Sequence, residues 1–209
     1  MKTNDAIKFI SDFKGKDLKI KLYELNQNLI GKTGKDIKEE MDLYNAAQAI
    51  KKISAQIDEI VHAIGIINCL PKILNPNEKI ESLSLAAGAA GDGFDLVTNK
   101  RIAEFKFSRW QDEASNGMRK RQVFADLVNL LIFDSKKKKE LYVFQANKIK
   151  IYFSSEKSKW KNVLSKSGGL DLKLEEYLKN NNITGEKLNH VFSNCNIIIH
   201  DINEILPGS

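Results

Sequence analysis

Gly91-Asp92-Gly93-Phe94-Asp95-Leu96-Val97-Thr98-Asn99-Lys100-Arg101-Ile102-Ala103-Glu104-Phe105-Lys106-Phe107-Ser108 is the stretch whose pairing decides the fold. Asn99-Lys100 can form a two-residue hairpin turn, because Asn tolerates the backbone such turns need. That turn sets Thr98 opposite Arg101, Val97 opposite Ile102, Leu96 opposite Ala103 and Asp95 opposite Glu104. Opposed residues project from one face with Cβ atoms ~5 Å apart. Alternation along the strand then brings Lys106 to the face of Glu104. The other face receives Phe94, Leu96, Ala103, Phe105 and Phe107, a core lining.

Two carboxylates set across from each other repel and destabilise a hairpin. A cation between them removes the conflict. Mg²⁺ is a hard ion held by one or two carboxylates, several waters and a substrate phosphate. Lys106 beside it supplies a fixed positive charge near an attacking water or a scissile phosphate, which describes metal-assisted phosphodiester hydrolysis. The plainer alternative makes Asp95 a turn cap and Glu104 with Lys106 a solvated strand face.

Upstream, a helical period begins at Asp36. Leu43, Ala46, Ala47, Ile50, Ile53, Ile57, Ile60, Val61 and Ile64 recur at steps of three and four as an apolar stripe. Gly65 is a point of interruption and Pro71 an expected stop. Strand-like segments follow at Ile80–Leu85, Phe94–Thr98 and Arg101–Phe107, then a helix over Ser115–Phe133. Lys136–Lys139 places positive charge at that helix's carbonyl end, or else forms a solvated loop. Leu141–Gln145 and Lys148–Ser154 read as a strand pair. Short helices are expected over Glu156–Ser165 and Leu172–Asn180, with a last strand over Asn196–His200. Before residue 36, Asp5–Phe13 reads as a short helix and Leu18–Leu25 as a helix or strand. Gly31-Lys32-Thr33-Gly34-Lys35 lacks the spacing of a phosphate loop and reads as a turn. The result is an α/β chain with a mixed central sheet flanked by helices. It comprises an N-terminal extension (1–35), a core (36–154) and a C-terminal helical and strand addition (155–209) packed on that core as one domain.

Asp95, Glu104 and Lys106, as D-x8-E-x-K on a hairpin followed by a helix, resemble the PD-(D/E)XK nuclease superfamily, which includes many restriction endonucleases and Holliday-junction resolvases. Ser108 is similar to the E-x-K-x-S/T variant of the resolvases, whereas Phe94 stands where the family often has Pro. The resemblance covers somewhat more than half the chain. It implies a restriction-endonuclease-like αβββαβ core in which Asp95 and Glu104 hold Mg²⁺, with Mn²⁺ substituting, and Lys106 positions or activates water. It further implies an acid from the preceding helix, for which Glu59 is the choice, with Asp58 beside it, Glu40 further back and Glu81 on the next strand. Related nucleases place a Gln or basic residue of the following helix near the phosphate, a place that Gln122 and Arg121 fit. Arg119 and Lys120 accompany them at a helix end that favours anions. Arg109 follows the motif strand as a phosphate contact, and Trp110, beside Gln111, could stack on a base or pack in the core.

Composition narrows the classes. The chain has 209 residues, 42% of them hydrophobic, with only 2 Cys, which excludes disordered, collagen-like and disulfide-scaffold proteins. Lys+Arg 33 against Asp+Glu 27 gives a net charge of +6, which permits a polyanionic partner. The only arginines are Arg101, Arg109, Arg119 and Arg121, all within one short stretch, and Arg suits phosphate recognition. No uninterrupted apolar run approaches the ~20 residues of a membrane span. The absence of a signal-peptide pattern makes cytoplasm the default compartment, with Cys69 and Cys195 as reduced core residues. His62, His190 and His200 show no zinc spacing with the cysteines. The expectation is a Mg²⁺-dependent nuclease, with DNA ahead of RNA as substrate, no membrane partner and a homodimer compatible with duplex cleavage. Its prokaryotic or phage defence or repair setting rests on family analogy. The rivals are a catalytically silent nucleic-acid-binding module and an assembly subunit.

Overall fold

A computed structural model describes residues 3–14, 17–30, 32, 41–85, 93–109 and 117–207. The chain divides into two compact units, Met1–Asp58 and Glu59–Ser209. The first unit holds α1 (Thr3–Lys14), α2 (Leu18–Leu29) and the beginning of α3 (Met41–Ile73). Leu18–Leu25 is therefore helical, and α2 continues to Leu29. Among the described residues of this unit, Ala6 and Ala46 are the buried apolar positions. Apart from Lys32, the expected 31–35 turn lies outside the described residues, as do Asp36 and Glu40.

The second unit is built on one sheet of β1 (Ile80–Leu83), β2 (Leu96–Thr98), β3 (Arg101–Lys106), β4 (Lys138–Val143) and β5 (Ile197–Asp201), in that spatial order. β1–β2 and β2–β3 are antiparallel, while β3–β4 and β4–β5 are parallel. Between β3 and β4 runs α4 (Gly117–Ile132), so α3-β1-β2-β3-α4-β4 follows the expected order of elements. α4 forms because Val123, Phe124, Leu127, Val128, Leu130 and Leu131 bury one side. They pack on Val97, Ile102, Leu141, Val143 and Ile199 from one face of the sheet. Ile66 and Cys69 of α3 pack on Leu96, Ala103, Phe105 and Tyr142 from the other. Lys139 caps α4, its ammonium donating to the carbonyls of Leu131 (3.0 Å) and Phe133 (2.6 Å), and it does so from within β4, so Lys138 and Lys139 are not the solvated loop of the alternative reading.

Several expectations are corrected. Lys148–Ser154 is not a strand: residues 148–153 belong to α5 (Ala146–Phe153) and Ser154 caps its end. Ile149, Ile151 and Phe153 alternate like a strand, yet Ile149 and Phe153 are buried one helical turn apart while Ile151 is exposed. α3 runs through Pro71, which sits in its exposed last turn and forfeits only one backbone bond there. Gly65 does not interrupt α3. It allows the helix onto the Phe107 ring, into which any Cβ at this position would run. The apolar stripe is also not the buried face in the second unit. Ile60, Val61 and Ile64 are exposed, and the buried residues are Ile66 and Cys69, about half a helical turn away. Apolar on both sides, α3 has an 18-residue window of mean hydropathy 1.3 and passes, by length and composition alone, as a membrane span. The sequence reading did not anticipate this. Phe94 precedes β2 after Gly93 (φ 80°), and it joins the α4 side of the core, 4.9 Å from the Phe133 ring.

The C-terminal part contributes α6 (Trp160–Leu164), α7 (Leu170–Asn180), α8 (Leu188–Phe192) and α9 (Ile202–Ile205). α6 is shorter than expected, and α8 was not foreseen. Trp160, Leu164, Leu170, Leu174, Leu178, Leu188 and Val191 extend the α4 core. Cys69 is buried and Cys195 half-buried, both free thiols.

Candidate active site

The hairpin register follows from one threonine. Thr98 Oγ1 accepts the N–H groups of Lys100 (3.0 Å) and Arg101 (2.9 Å), which closes the turn over Asn99-Lys100. Leu96 then pairs with Ala103 and Val97 with Ile102, and one step further along the ladder Asp95 meets Glu104. β1 fixes the backbone at that point, since Ser84 N donates to the Asp95 carbonyl at 2.8 Å. Glu104 and Lys106 point to the α4 side of the sheet, alternating with Ala103 and Phe105 on the α3 side.

The acids are not a solvated face. Glu104 is 7% exposed, and the side chains of Asp95 and Asp126 are 14% and 16% exposed. Asp95 Oδ2 accepts the Phe105 N–H at 2.8 Å, and Oδ1 lies 3.2 Å from His62 Nε2 of α3. Asp95 and Glu104 are close enough for each to shift the other's proton affinity. Burial, and then the neighbouring Asp95 and Asp126 charges, push the Glu104 carboxyl up to about 9, with Lys106 opposing. Burial pulls Asp95 upward too, but hydrogen bonds from His62, the Phe105 N–H and Glu104 hold it below its ordinary value. The two carboxyls are thus pushed in opposite directions, Glu104 toward the neutral form and Asp95 toward the charged one. Lys106 Nζ lies 3.3 Å from Asp126 Oδ2 of α4. Burial works against the ammonium, yet the charges of Asp126, Glu104 and Asp95 keep it protonated beyond the ordinary lysine range. Asp126 itself is raised by burial despite the Lys106 charge.

The other expected residues divide into three groups. Ser108, Arg119 and Gln122 line one small cavity with Lys106, over Val123, Val143 and Ile149. Arg109, Lys120 and Arg121 are not among its lining residues. The Arg109 guanidinium lies 4.9 Å from the Phe144 ring centroid, and its carbonyl accepts from Arg119 at 3.1 Å. Lys120 lies over Tyr152, and Arg121 is exposed. Glu59 is exposed, and the α3 side chain that reaches Asp95 is His62, three residues on. Glu81 pairs with Lys137 instead, and Asp58 is exposed. Trp110 and Gln111 lie outside the described residues.

Arg101 is withdrawn from phosphate recognition. It is 7% exposed, forked onto Glu78 (2.6 and 2.8 Å) and bonded to Glu140 (2.7 Å) and the Tyr142 hydroxyl (3.1 Å).

His62 and Asp126 were missed. The signal for His62 was its place on the true buried face, one turn before Ile66 and two before Cys69, which the wider isoleucine stripe obscured. For Asp126 it was an acid set between Phe124 and Leu127 in an otherwise apolar helix face.

Among the described residues, no group of three or more His, Cys, Asp and Glu converges as a metal cage. The pair fits a cation of another type. Asp95 and Glu104 offer only oxygens, their mutual repulsion raises Glu104, and they suit a hard ion that keeps most of its waters. Comparison with family models, curated proteins and solved structures returns no match for the chain. The fold thus defines the class by architecture alone: an α/β protein with a mixed, open five-stranded sheet flanked by helices.

Proposed function

We propose that this chain is a divalent-metal-dependent nuclease that hydrolyses phosphodiester bonds in DNA, with a restriction-endonuclease-like core in its second unit. One observation carries the reading: Asp95 and Glu104 meet across a hairpin, with Lys106 on the same face as Glu104. Asp95 and Glu104 would hold Mg²⁺ or Mn²⁺, and when bound the ion supplies charge neutralisation and lowers the pKa of water to a nucleophilic range. The chain's own residues do the rest. Asp95 is oriented by the Phe105 N–H and His62, so one oxygen edge stays fixed. Lys106 keeps a positive charge beside the reacting phosphate, held in place so that it need not reorganise during the reaction. Arg119 and Gln122, in the first turns of α4, share a cavity with Lys106 and orient phosphate oxygens. Arg109 and Arg121 widen the basic margin for the backbone of the nucleic acid.

The test is direct. Purified protein is incubated with plasmid DNA, single-stranded DNA and RNA, with Mg²⁺ or Mn²⁺ or with EDTA. Cleavage that needs the ion and is lost in Asp95→Ala and Lys106→Ala supports the reading. Salt-sensitive binding without cleavage supports the silent binding module instead, and neither activity leaves the assembly subunit.

A further inference from the structure

The pair Lys106–Asp126 is unusual in its setting. Asp126 lies on the helix face that buries Val123, Phe124, Leu127, Val128, Leu130 and Leu131. A carboxylate there is costly to desolvate, and a buried ion pair gives little net stability in return. An apolar residue at this position would pack with its neighbours. Asp126 Oδ2 is fully enclosed and makes no hydrogen bond of good geometry, so what it offers Lys106 at 3.3 Å is charge and direction. Lys106 needs direction. It ends β3, its side chain is 33% exposed, and a four-carbon stem left free would extend into solvent. α4 is a well-packed element, so a carboxylate fixed on it makes a rigid stop for that stem.

We infer that Asp126 is a positioning residue that holds the Lys106 ammonium beside the Asp95–Glu104 pair, acting on the chemistry only through Lys106. The inference rests on the nuclease reading. It separates Asp126 from the ion-holding pair, although all three carboxylates are neighbours. A misplaced ammonium slows the reaction without altering how the substrate or the ion is held.

The experiment compares wild type, Asp126→Asn and Asp126→Glu for DNA cleavage under Mn²⁺, Mn²⁺ affinity by calorimetry and thermal unfolding. The expected result for Asp126→Asn is a kcat lower by ~100-fold, with KM and Mn²⁺ affinity within about threefold of wild type and folding retained. Asp126→Glu, which restores the charge on a longer stem, recovers at least about tenfold of that loss. A rate within about threefold of wild type for Asp126→Asn overturns the inference. So does a parallel fall in Mn²⁺ affinity, which would make Asp126 a ligand, or a folded Asp126→Glu no better than Asp126→Asn. A wild-type protein that binds Mn²⁺ yet cleaves no nucleic acid overturns the nuclease reading itself, and this inference with it.

Discussion

Asp95 and Glu104 face each other across the β2–β3 hairpin, and burial with two neighbouring carboxylates pushes the Glu104 carboxyl up to about 9. The relationship has a measurable sign. A carboxyl raised on folding binds its proton more tightly folded than unfolded. Its contribution is therefore fully present below the ordinary carboxylate value of ~4.3 and is lost as pH climbs toward about 9. Metal-free Glu104→Gln removes that dependence. In urea titrations it should be more stable than wild type by roughly 1–3 kcal/mol near pH ~8, with the difference vanishing near pH ~4.

A divalent ion should relieve the repulsion between these two carboxylates. Mn²⁺ at ~100 times its Kd is expected to stabilise wild type by about 2.7 kcal/mol, read as a higher unfolding midpoint. Asp95→Asn should lose most of that increment, and EDTA should reverse it in wild type.

His62 and Glu59 make contrasting claims on the same helix. His62 reaches Asp95 Oδ1 at 3.2 Å, whereas Glu59 is exposed. Partners that orient a ligand carboxylate are worth ~10–100-fold in ion affinity, so His62→Ala should weaken Mn²⁺ binding by at least ~10-fold and Glu59→Gln by less than about twofold. Calorimetric titration of both variants checks this.

The arginines should separate into structural and binding residues. Arg101→Met leaves Glu78 and Glu140 buried without their cation, and is expected to cost about 3–5 kcal/mol in denaturant unfolding. Arg119→Ala should leave stability nearly unchanged, weaken DNA binding across sequences and reduce the salt slope by about 1.

Gly65 fits the helix against an aromatic ring. Gly65→Ala forces its Cβ into Phe107, whose own ring lies 6.1 Å from Phe105. Overpacking of this kind costs roughly 1–3 kcal/mol, which thermal unfolding would report as a lower midpoint.

The hairpin was legible in the sequence because its information is local. Asn99-Lys100 marks the turn, Thr98 closes it, and a period of two assigns Glu104 and Lys106 to one face. The same local logic misread residues 148–154, where alternation and a helical period coincide and only burial of Ile149 and Phe153 decides between them. In α3 the sequence carries two apolar faces. Periodicity alone selects the wider isoleucine stripe, while the sheet selects Ile66 and Cys69. That choice hid His62. Asp126 was hidden for a related reason, because its meaning depends on which β3 side chain stands across from α4. Arg101 shows the opposite error: composition grouped it with three other arginines, but Glu78 and Glu140, 23 and 39 positions away, bury it.

The most direct measurement is anomalous diffraction from crystals grown with Mn²⁺. The account predicts one strong peak between the Asp95 and Glu104 carboxylates, absent from Asp95→Asn crystals grown the same way. No peak at that pair at saturating Mn²⁺, with Asp95 and Glu104 still facing each other across the hairpin, would contradict it.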